Sequence, residues 1–333
     1  MEQVITLDYG SGGRKTSQLI DELIVPALGN KALSQLNDGA VLSGREKLVF
    51  STDSFVVSPR FFPGGNIGKL SVCGTVNDVA MCGGEPKYLS LAFIIEEGLP
   101  VSELREIIAS IAKAAQDAGV QIVTGDTKVV EKGKCDGIYI NTAGIGFLRK
   151  DNLSPDNIEV GDKVIVSGFI GDHGTAVMLA REPELLESDI ASDCAPLHRA
   201  AQKLWQLGDD LRVLRDPTRG GVATTLNEFT ENRFFSIELQ EKGLPVRPAV
   251  HAACEILGLD PLYCANEGKL LAIVKADRAD EALTLLRECS EGKDAAVIGT
   301  VTATYPGKVV LKTAFGGTRV LSKLSGAQLP RIC

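Results

Sequence analysis

Residues 67–86 read Ile67-Gly-Lys-Leu-Ser-Val-Cys-Gly-Thr-Val-Asn77-Asp78-Val-Ala-Met-Cys-Gly83-Gly84-Glu85-Pro86. Apolar and small residues recur here at helical spacing, and Gly83-Gly84 followed by Pro86 supplies a stop, so the stretch predicts one helix. So many small side chains on one helix imply close packing against a neighbour. Asn77 and Asp78 interrupt the apolar character. A carboxylate buried there must be paired or bind a metal; ligand and satisfied core polar group both stand as readings.

Outward from this helix the chain alternates strands and helices, which predicts an α/β fold. A strand near Lys47–Phe50 runs into Ser51-Thr52-Asp53-Ser54-Phe55, and Asn37-Asp38-Gly39-Ala40-Val41 precedes it. An Asp-Gly pair is commonly no more than an Asx-turn. Leu89–Ile95 is a continuous apolar run suited to a buried strand. Val101–Ala118 is an amphipathic helix opened at Ser102 and closed by Gly119. Val120–Val123 is a strand that delivers Thr124-Gly125-Asp126-Thr127-Lys128 at its carboxyl end, where open α/β sheets bind ligands. After the strand Ile138–Phe147, Arg149–Pro155 is the most linker-like segment.

Beyond that linker the pattern restarts. Gly161–Gly168 holds a strand, Gly171-Asp172-His173-Gly174 opens a helix through Arg181, and another helix lies around His198–Leu207. Asp216-Pro217-Thr218 reads as a cap for a helix from Gly221 to Glu231. Ala265-Asn266-Glu267-Gly268 places a carboxylate before a strand that ends at Val274. Ala279–Arg287 is a surface helix, and Gly299–Thr304 and Lys308–Lys312 are strands.

A length of 333 residues exceeds one small core and suggests two domains. The net charge of -8 argues against nucleic acid, which needs a basic face. No run reaches the ~18 apolar residues of a membrane helix, and the start lacks the apolar region of a signal peptide. None of the eight cysteines forms C-x-x-C, so they read as reduced thiols of a cytoplasmic protein rather than zinc ligands. Tyr9-Gly10-Ser11-Gly12-Gly13-Arg14-Lys15 could wrap phosphate through backbone N–H groups. It is no P-loop, and Gly68-Lys69 fails too, with Pro63 in place of the first glycine and Leu70 where Ser or Thr belongs.

Asp38, Asp53, Asp78, Asp126 and Asp216 recur in small-residue settings. Carboxylates without a His/Cys ligand pattern favour Mg²⁺ over zinc, and Mg²⁺ held this way usually bridges nucleotide phosphates. The residues alone therefore predict a Mg²⁺–nucleotide enzyme of two α/β domains. Pro330-Arg331-Ile332-Cys333 puts a soft nucleophile on a segment expected to be mobile; chance is the plain reading of an isolated cysteine there.

At these residues the chain resembles the PurM-like ATP-dependent superfamily. The ordered blocks Asp38-Gly-Ala-Val, Ser-Thr-Asp53, Lys69 to Gly84 with Asn77-Asp78, Thr-Gly-Asp126-Thr, Gly171-Asp-His-Gly, Asp216-Pro-Thr-Arg-Gly-Gly and Asn-Glu267-Gly carry the likeness across nearly the whole chain. Pro330-Arg331-Ile332-Cys333 resembles the ending of one branch, the HypE carbamoyl dehydratases of nickel–iron hydrogenase maturation. Tyr9 stands where the superfamily commonly has His, which leaves one side-chain contact in doubt.

The resemblance implies an N-terminal PurM-like ATP-binding domain (1–152) that builds a β-barrel across a homodimer. It also implies a C-terminal PurM-like α/β sandwich (153–321) and a mobile tail (322–333). It implies ATP and Mg²⁺, with Gly12, Gly13, Asp38, Asp53, Lys69, Asn77, Asp78, Asp126, Thr127 and Asp216 on the nucleotide and Asp38, Asp53, Asp78 and Asp126 on the metal. A HypF carbamoyltransferase would load Cys333, ATP would activate the carbamoyl oxygen, and dehydration would leave a thiocyanate. Glu267 is the candidate base and Lys128 the candidate for orienting the tail; a cap carboxylate and a surface lysine are their plain readings. The cyano group would pass to iron on a HypC–HypD scaffold. Competing readings are selenophosphate synthetase, disfavoured because no cysteine precedes Cys73, a purine-pathway synthetase, which gives Cys333 no task, and a non-enzymatic cysteine carrier.

Overall fold

The structure, a computed structural model, describes residues 4–11, 13–36, 39–184, 186, 188–324 and 331–333. Gly12, Asp38 and Pro330 lie outside the described residues. The N-terminal half opens with two short helices, α1 (Arg14–Leu19) and α2 (Val25–Leu28), joined by a π-helical turn at Ile20–Ile24. Strand β1 (Leu48–Phe55), a small hairpin of β2 (Phe61–Phe62) and β3 (Gly65–Asn66), and helix α3 (Ile67–Met81) follow. β4 (Gly84–Glu96), α4 (Val101–Ala118), β5 (Gln121–Val130) and β6 (Ile138–Leu148) complete this half.

The helix α3 organises it, as its sequence suggests. Asn66 caps α3, its side-chain oxygen accepting from the N–H groups of Gly68 at 3.0 Å and Lys69 at 3.1 Å. The small residues permit close packing: a Cβ at Gly68 would stand 2.5 Å from the Ile107 carbonyl of α4, and one at Gly74 2.9 Å from the Phe55 ring. The sheet order is β1-β6-β4-β5, antiparallel except for the β4–β5 pair. Its face away from α3 aligns Phe50, Ile145 and Tyr88 across three strands, with Phe50 68% exposed.

The C-terminal half contains β7 (Lys163–Val166), α5 (Asp172–Arg181), α6 (His198–Leu204), β8 (Leu211–Arg215), α7 (Gly221–Thr230) and β9 (Ser236–Gln240). It continues with α8 (Pro248–Leu257), β10 (Leu271–Val274), α9 (Ala279–Arg287), β11 (Ala296–Thr302), β12 (Val309–Lys312) and β13 (Thr318–Leu321). Its sheet runs β13-β12-β9-β11-β7-β10-β8. Alternation along β7 sends Val164 and Val166 into a core with Phe229 of α7, and Ile165 into a second core with Leu204 of α6 and Leu286 of α9. Helices on both faces of this sheet, beside the four-stranded half, make a two-part mixed α/β fold.

Several local expectations need correction. β5 does not end at Val123; it pairs with β4 through Val130, so Asp126 and Lys128 lie within the strand, opposite Ala92 and Ile94. Asp53 likewise lies inside β1. The residue before α7 is Gly220, in left-handed conformation, and no side chain caps the helix, so Asp216-Pro217-Thr218 is an approach turn. Strands β8 and β9 and helix α8 have no counterpart in the sequence reading.

Candidate active site

Residues 331–333 lie antiparallel to residues 56–58, just past β1. The Val56 N–H donates to the Cys333 carbonyl and the Ser58 N–H to the Arg331 carbonyl, each at 3.1 Å. The Arg331 side chain donates back to the Val56 carbonyl at 3.0 Å, pairs with Asp136 at 2.5 Å and faces the Tyr139 ring at 5.8 Å. Ile332 is 1% exposed and joins the core under α3 and α4. Its carbonyl accepts from His173 Nε2 at 2.9 Å, which puts the ring proton on Nε2 and leaves Nδ1 to accept from Ser192 Oγ at 2.8 Å. Burial lowers the pKa of His173 and keeps the ring neutral. Arg181 donates to the carbonyls of Ser58 at 2.7 Å and Arg331 at 2.8 Å.

This seating carries the Cys333 sulfur to Arg219, whose Nη2 donates to Sγ at 3.6 Å. Gly220 and Gly221, with φ of +79° and +60°, turn the chain directly behind Arg219. A Cβ at Gly221 would stand 2.6 Å from the carbonyls of Leu262 and Cys264. Burial pushes the Cys333 thiol up to about 11, with Glu267 adding to the rise and Arg219 opposing it. Glu267 is 2% exposed, its Oε1 has no hydrogen-bond partner, and its backbone N–H donates to Asp193 Oδ1 at 3.0 Å. Burial and then the neighbouring Cys194, Asp216 and Asp193 raise its pKa well above the carboxylate range.

The aspartates divide into two sets. Asp216 is buried, and desolvation, then the Asp78 charge, pushes it up to about 7. Asp78 accepts from Ser51 Oγ at 2.8 Å, and burial with the nearby Asp53 raises it. Desolvation also raises Asp53, against the bond from the Ser54 N–H and the charge of Arg219. Asp126 stands apart on β5, accepting from the Thr127 N–H at 2.8 Å and from Lys128 Nζ at 2.9 Å, and the lysine holds its carboxyl below the usual range. Among the described residues, no three His, Cys, Asp or Glu side chains group closely enough to hold a metal.

Lys128 lines a cavity of ≈ 470 Å³ with Asp126, Ile20, Leu28 and Phe93, and among the described residues none of the tail lines that cavity. Gly13 precedes α1 nearby in sequence, in extended conformation. Lys69 Nζ bonds the Gly64 carbonyl at 2.9 Å. The Asn77 amide clamps main chain: its nitrogen donates to the carbonyls of Ala195 at 3.1 Å and Glu267 at 3.3 Å, and its oxygen accepts from the Leu197 N–H at 2.7 Å. Two residues without an assigned role in the sequence reading prove central here. One is Arg219, a cation before a Gly-Gly pair at a helix start. The other is Asn266, which accepts from the Gly171 N–H at 2.8 Å and donates to the Pro217 carbonyl at 3.1 Å, stitching three site loops together.

Two family models match, the AIR synthase related protein N-terminal domain over residues 36–148 and its C-terminal domain over residues 159–312. The carbamoyl dehydratase HypE of Azotobacter vinelandii is 50% identical over 333 residues, spanning 99% of this chain and 97% of the relative. The chain belongs to the HypE family. A crystal structure of hydrogenase maturation protein HypE in complex with ATP aligns with a TM-score of 0.94 at 49% identity, covering 98% of this chain and 99% of that one. A HypE–HypF complex aligns with a TM-score of 0.80 at 48% identity, covering 92% and 99%. The two-part fold described above is thus the PurM-like fold of HypE, as the motif order implied.

Proposed function

We propose that this HypE-family chain dehydrates a carbamoyl group carried on Cys333 to a thiocyanate, using ATP. The observation that supports this most is the seating of Cys333: backbone bonds, a buried Ile332 and an Arg331–Asp136 pair bring one sulfur beside Glu267 and Arg219. ATP supplies the phosphoryl group that turns the carbamoyl oxygen into a leaving group. Glu267 removes the N–H proton; a raised pKa makes its carboxylate, once ionised, a stronger base than an exposed one. Asp53 and Asp78 are oxygen donors whose mutual repulsion a divalent cation relieves. Mg²⁺ commonly takes one or two carboxylates plus substrate phosphates, so this pair fits it. When bound there, Mg²⁺ screens phosphate charge.

The cavity beside β5, lined by apolar Ile20, Leu28 and Phe93 and by polar Asp126, Thr127 and Lys128, suits a nucleotide base and ribose. Lys128 acts on this reading at the nucleotide, since Asp126 already engages it. A HypE relative assembles with HypF, which supports HypF as the carbamoyl donor here, and a HypC–HypD scaffold is the inferred iron acceptor. The exposed Phe50 face supports homodimerisation through the N-terminal sheet. Eight free cysteines suit a reducing cytoplasm. We place the domain division at residues 152–153 and the start of the tail at 322. The test is the mass of the peptide containing Cys333 after carbamoylation: an adduct of about +43 Da should fall to about +25 Da with ATP, the loss of one water. An adduct that forms on another cysteine, or stays at the higher mass, refutes the reading.

A further inference from the structure

We infer that Arg219 is a catalytic residue of this site: its guanidinium meets the phosphoryl group as it arrives on, and then leaves, the Cys333-bound substrate. The inference rests on the dehydration reading above and adds to it the cation that the reaction needs at the sulfur end. Among the described residues Arg219 is the cationic side chain bonded to Sγ, at 3.6 Å. Arg331, two residues away, is committed to Asp136, Val56 and Tyr139. Lys128 is committed to Asp126 on β5. The other polar groups charging Cys333 are acidic, Glu267 and Asp53.

The chemistry calls for positive charge at that point. In the first step the carbamoyl oxygen bonds to the γ-phosphorus and the bond from that phosphorus to the ADP oxygen breaks. One of the two nitrogen protons is released to solvent, and the product is an O-phosphorylated thioimidate on Cys333, with ADP released. In the second step the remaining N–H proton passes to Glu267 and the nitrogen electron pair forms the third C–N bond. The C–O bond breaks, and its electron pair leaves with phosphate. Both steps concentrate negative charge on the phosphoryl group, whose bridging oxygen is two bonds from Sγ and whose other oxygens are four. A planar guanidinium with several N–H donors at the sulfur reaches those oxygens, and phosphoryl transfer is accelerated by such a cation.

The placement of Arg219 matches this task. Gly220 and Gly221 adopt left-handed conformations directly after it and hold it at the start of α7. Arg219 itself is exposed, so its replacement removes no core packing. Glu267, whose unpartnered Oε1 is the base, also acts on the charge of Cys333. Cation and base therefore reach the same sulfur from separate loops.

The full-length protein can be loaded without a partner, because isocyanic acid adds across a thiol to give an S-carbamoyl group. Conversion of the Cys333 peptide from about +43 to about +25 Da with Mg²⁺–ATP is then followed by mass spectrometry. Arg219→Gln should slow conversion by roughly 100-fold or more while nucleotide binding stays unchanged. Arg219→Lys, keeping charge but losing the fork, should fall between. Added guanidinium ion should restore part of the rate to Arg219→Ala, a recovery that a merely structural role would not show. Conversion by Arg219→Gln at the wild-type rate overturns this role alone. Wild-type protein that retains the heavier adduct overturns the dehydration reading and this role with it.

Discussion

Asp126 on β5 and Asp216 ahead of α7 both come from motif blocks in which an aspartate sits among small residues, yet they end in opposite electrostatic states. Asp126 keeps more than half its side chain in solvent, and Lys128 holds it firmly ionised. Asp216 is buried beside Asp78 and is pushed up to about 7. The β5 region is thus fixed as an ion pair lining a cavity. In the cleft region burial and mutual repulsion raise Asp53, Asp78, Asp216 and Glu267 together. A motif block supplies the carboxylate; burial decides whether it works as a charge or as an acid–base group.

The largest expected effect falls on the cleft side. Cys333→Ala should bind ATP as the wild type does and yield no thiocyanate product at all; any residual product in the mass assay moves the chemistry to another residue. Next comes Asp78→Ala, which should reduce Mg²⁺-dependent ATP hydrolysis by roughly 100-fold or more with an unchanged circular dichroism spectrum. Normal turnover would remove Asp78 from the metal and leave the contrast with Asp126 unsupported. Third, a thiol pushed up to about 11 should be alkylated by iodoacetamide at pH 8 roughly 100-fold more slowly than an unfolded-chain cysteine, because the thiolate is the nucleophile. Equal rates would show that Cys333 is not seated in solution.

Smaller effects sharpen the same contrast. Asp216 titrates near ~4 in the unfolded chain and at about 7 in the fold, so between these values the folded state binds the extra proton. Stability should therefore decline as pH rises through that window and level off above it. With divalent cations chelated, the melting temperature should drop several degrees from pH 5 to pH 8, and Asp216→Asn should flatten the slope. An equal slope in the variant would assign the effect elsewhere. Finally, His173→Ala removes one hydrogen bond to the Ile332 carbonyl, worth about 1 kcal/mol. It should speed Cys333 alkylation about fivefold without changing the rate for Cys82.

The parts legible in the sequence are those governed by local pattern. The span of α4 follows from its apolar stripe and from Gly119, which ends it in left-handed conformation. The course of α3 follows from its small residues and the Gly83 stop. The length of β5 does not follow locally, because its polar second half is held by pairing with β4. The role of Arg219 was hidden for a related reason: its contact with Cys333 joins residues 114 apart. Asn77 is a further case, its amide reaching more than a hundred residues along the chain to residues 195, 197 and 267. The motif order names the carboxylates; only tertiary structure shows which side chains come near the sulfur.

Ile332 gives the seated tail an unusual kinetic meaning. Its side chain is part of the N-terminal core, so moving Cys333 out to a partner means briefly removing a piece of that core. Exposing an isoleucine costs roughly 1.5–3 kcal/mol, which weights the withdrawn state down by roughly 10- to 150-fold. On the proposed reading the substrate is tethered on Cys333 at one copy per chain, and no concentration of it can saturate the site. Throughput is then set by an opening equilibrium. Tighter packing around this one aliphatic side chain would favour the chemical step and starve the hand-over, while looser packing would do the reverse.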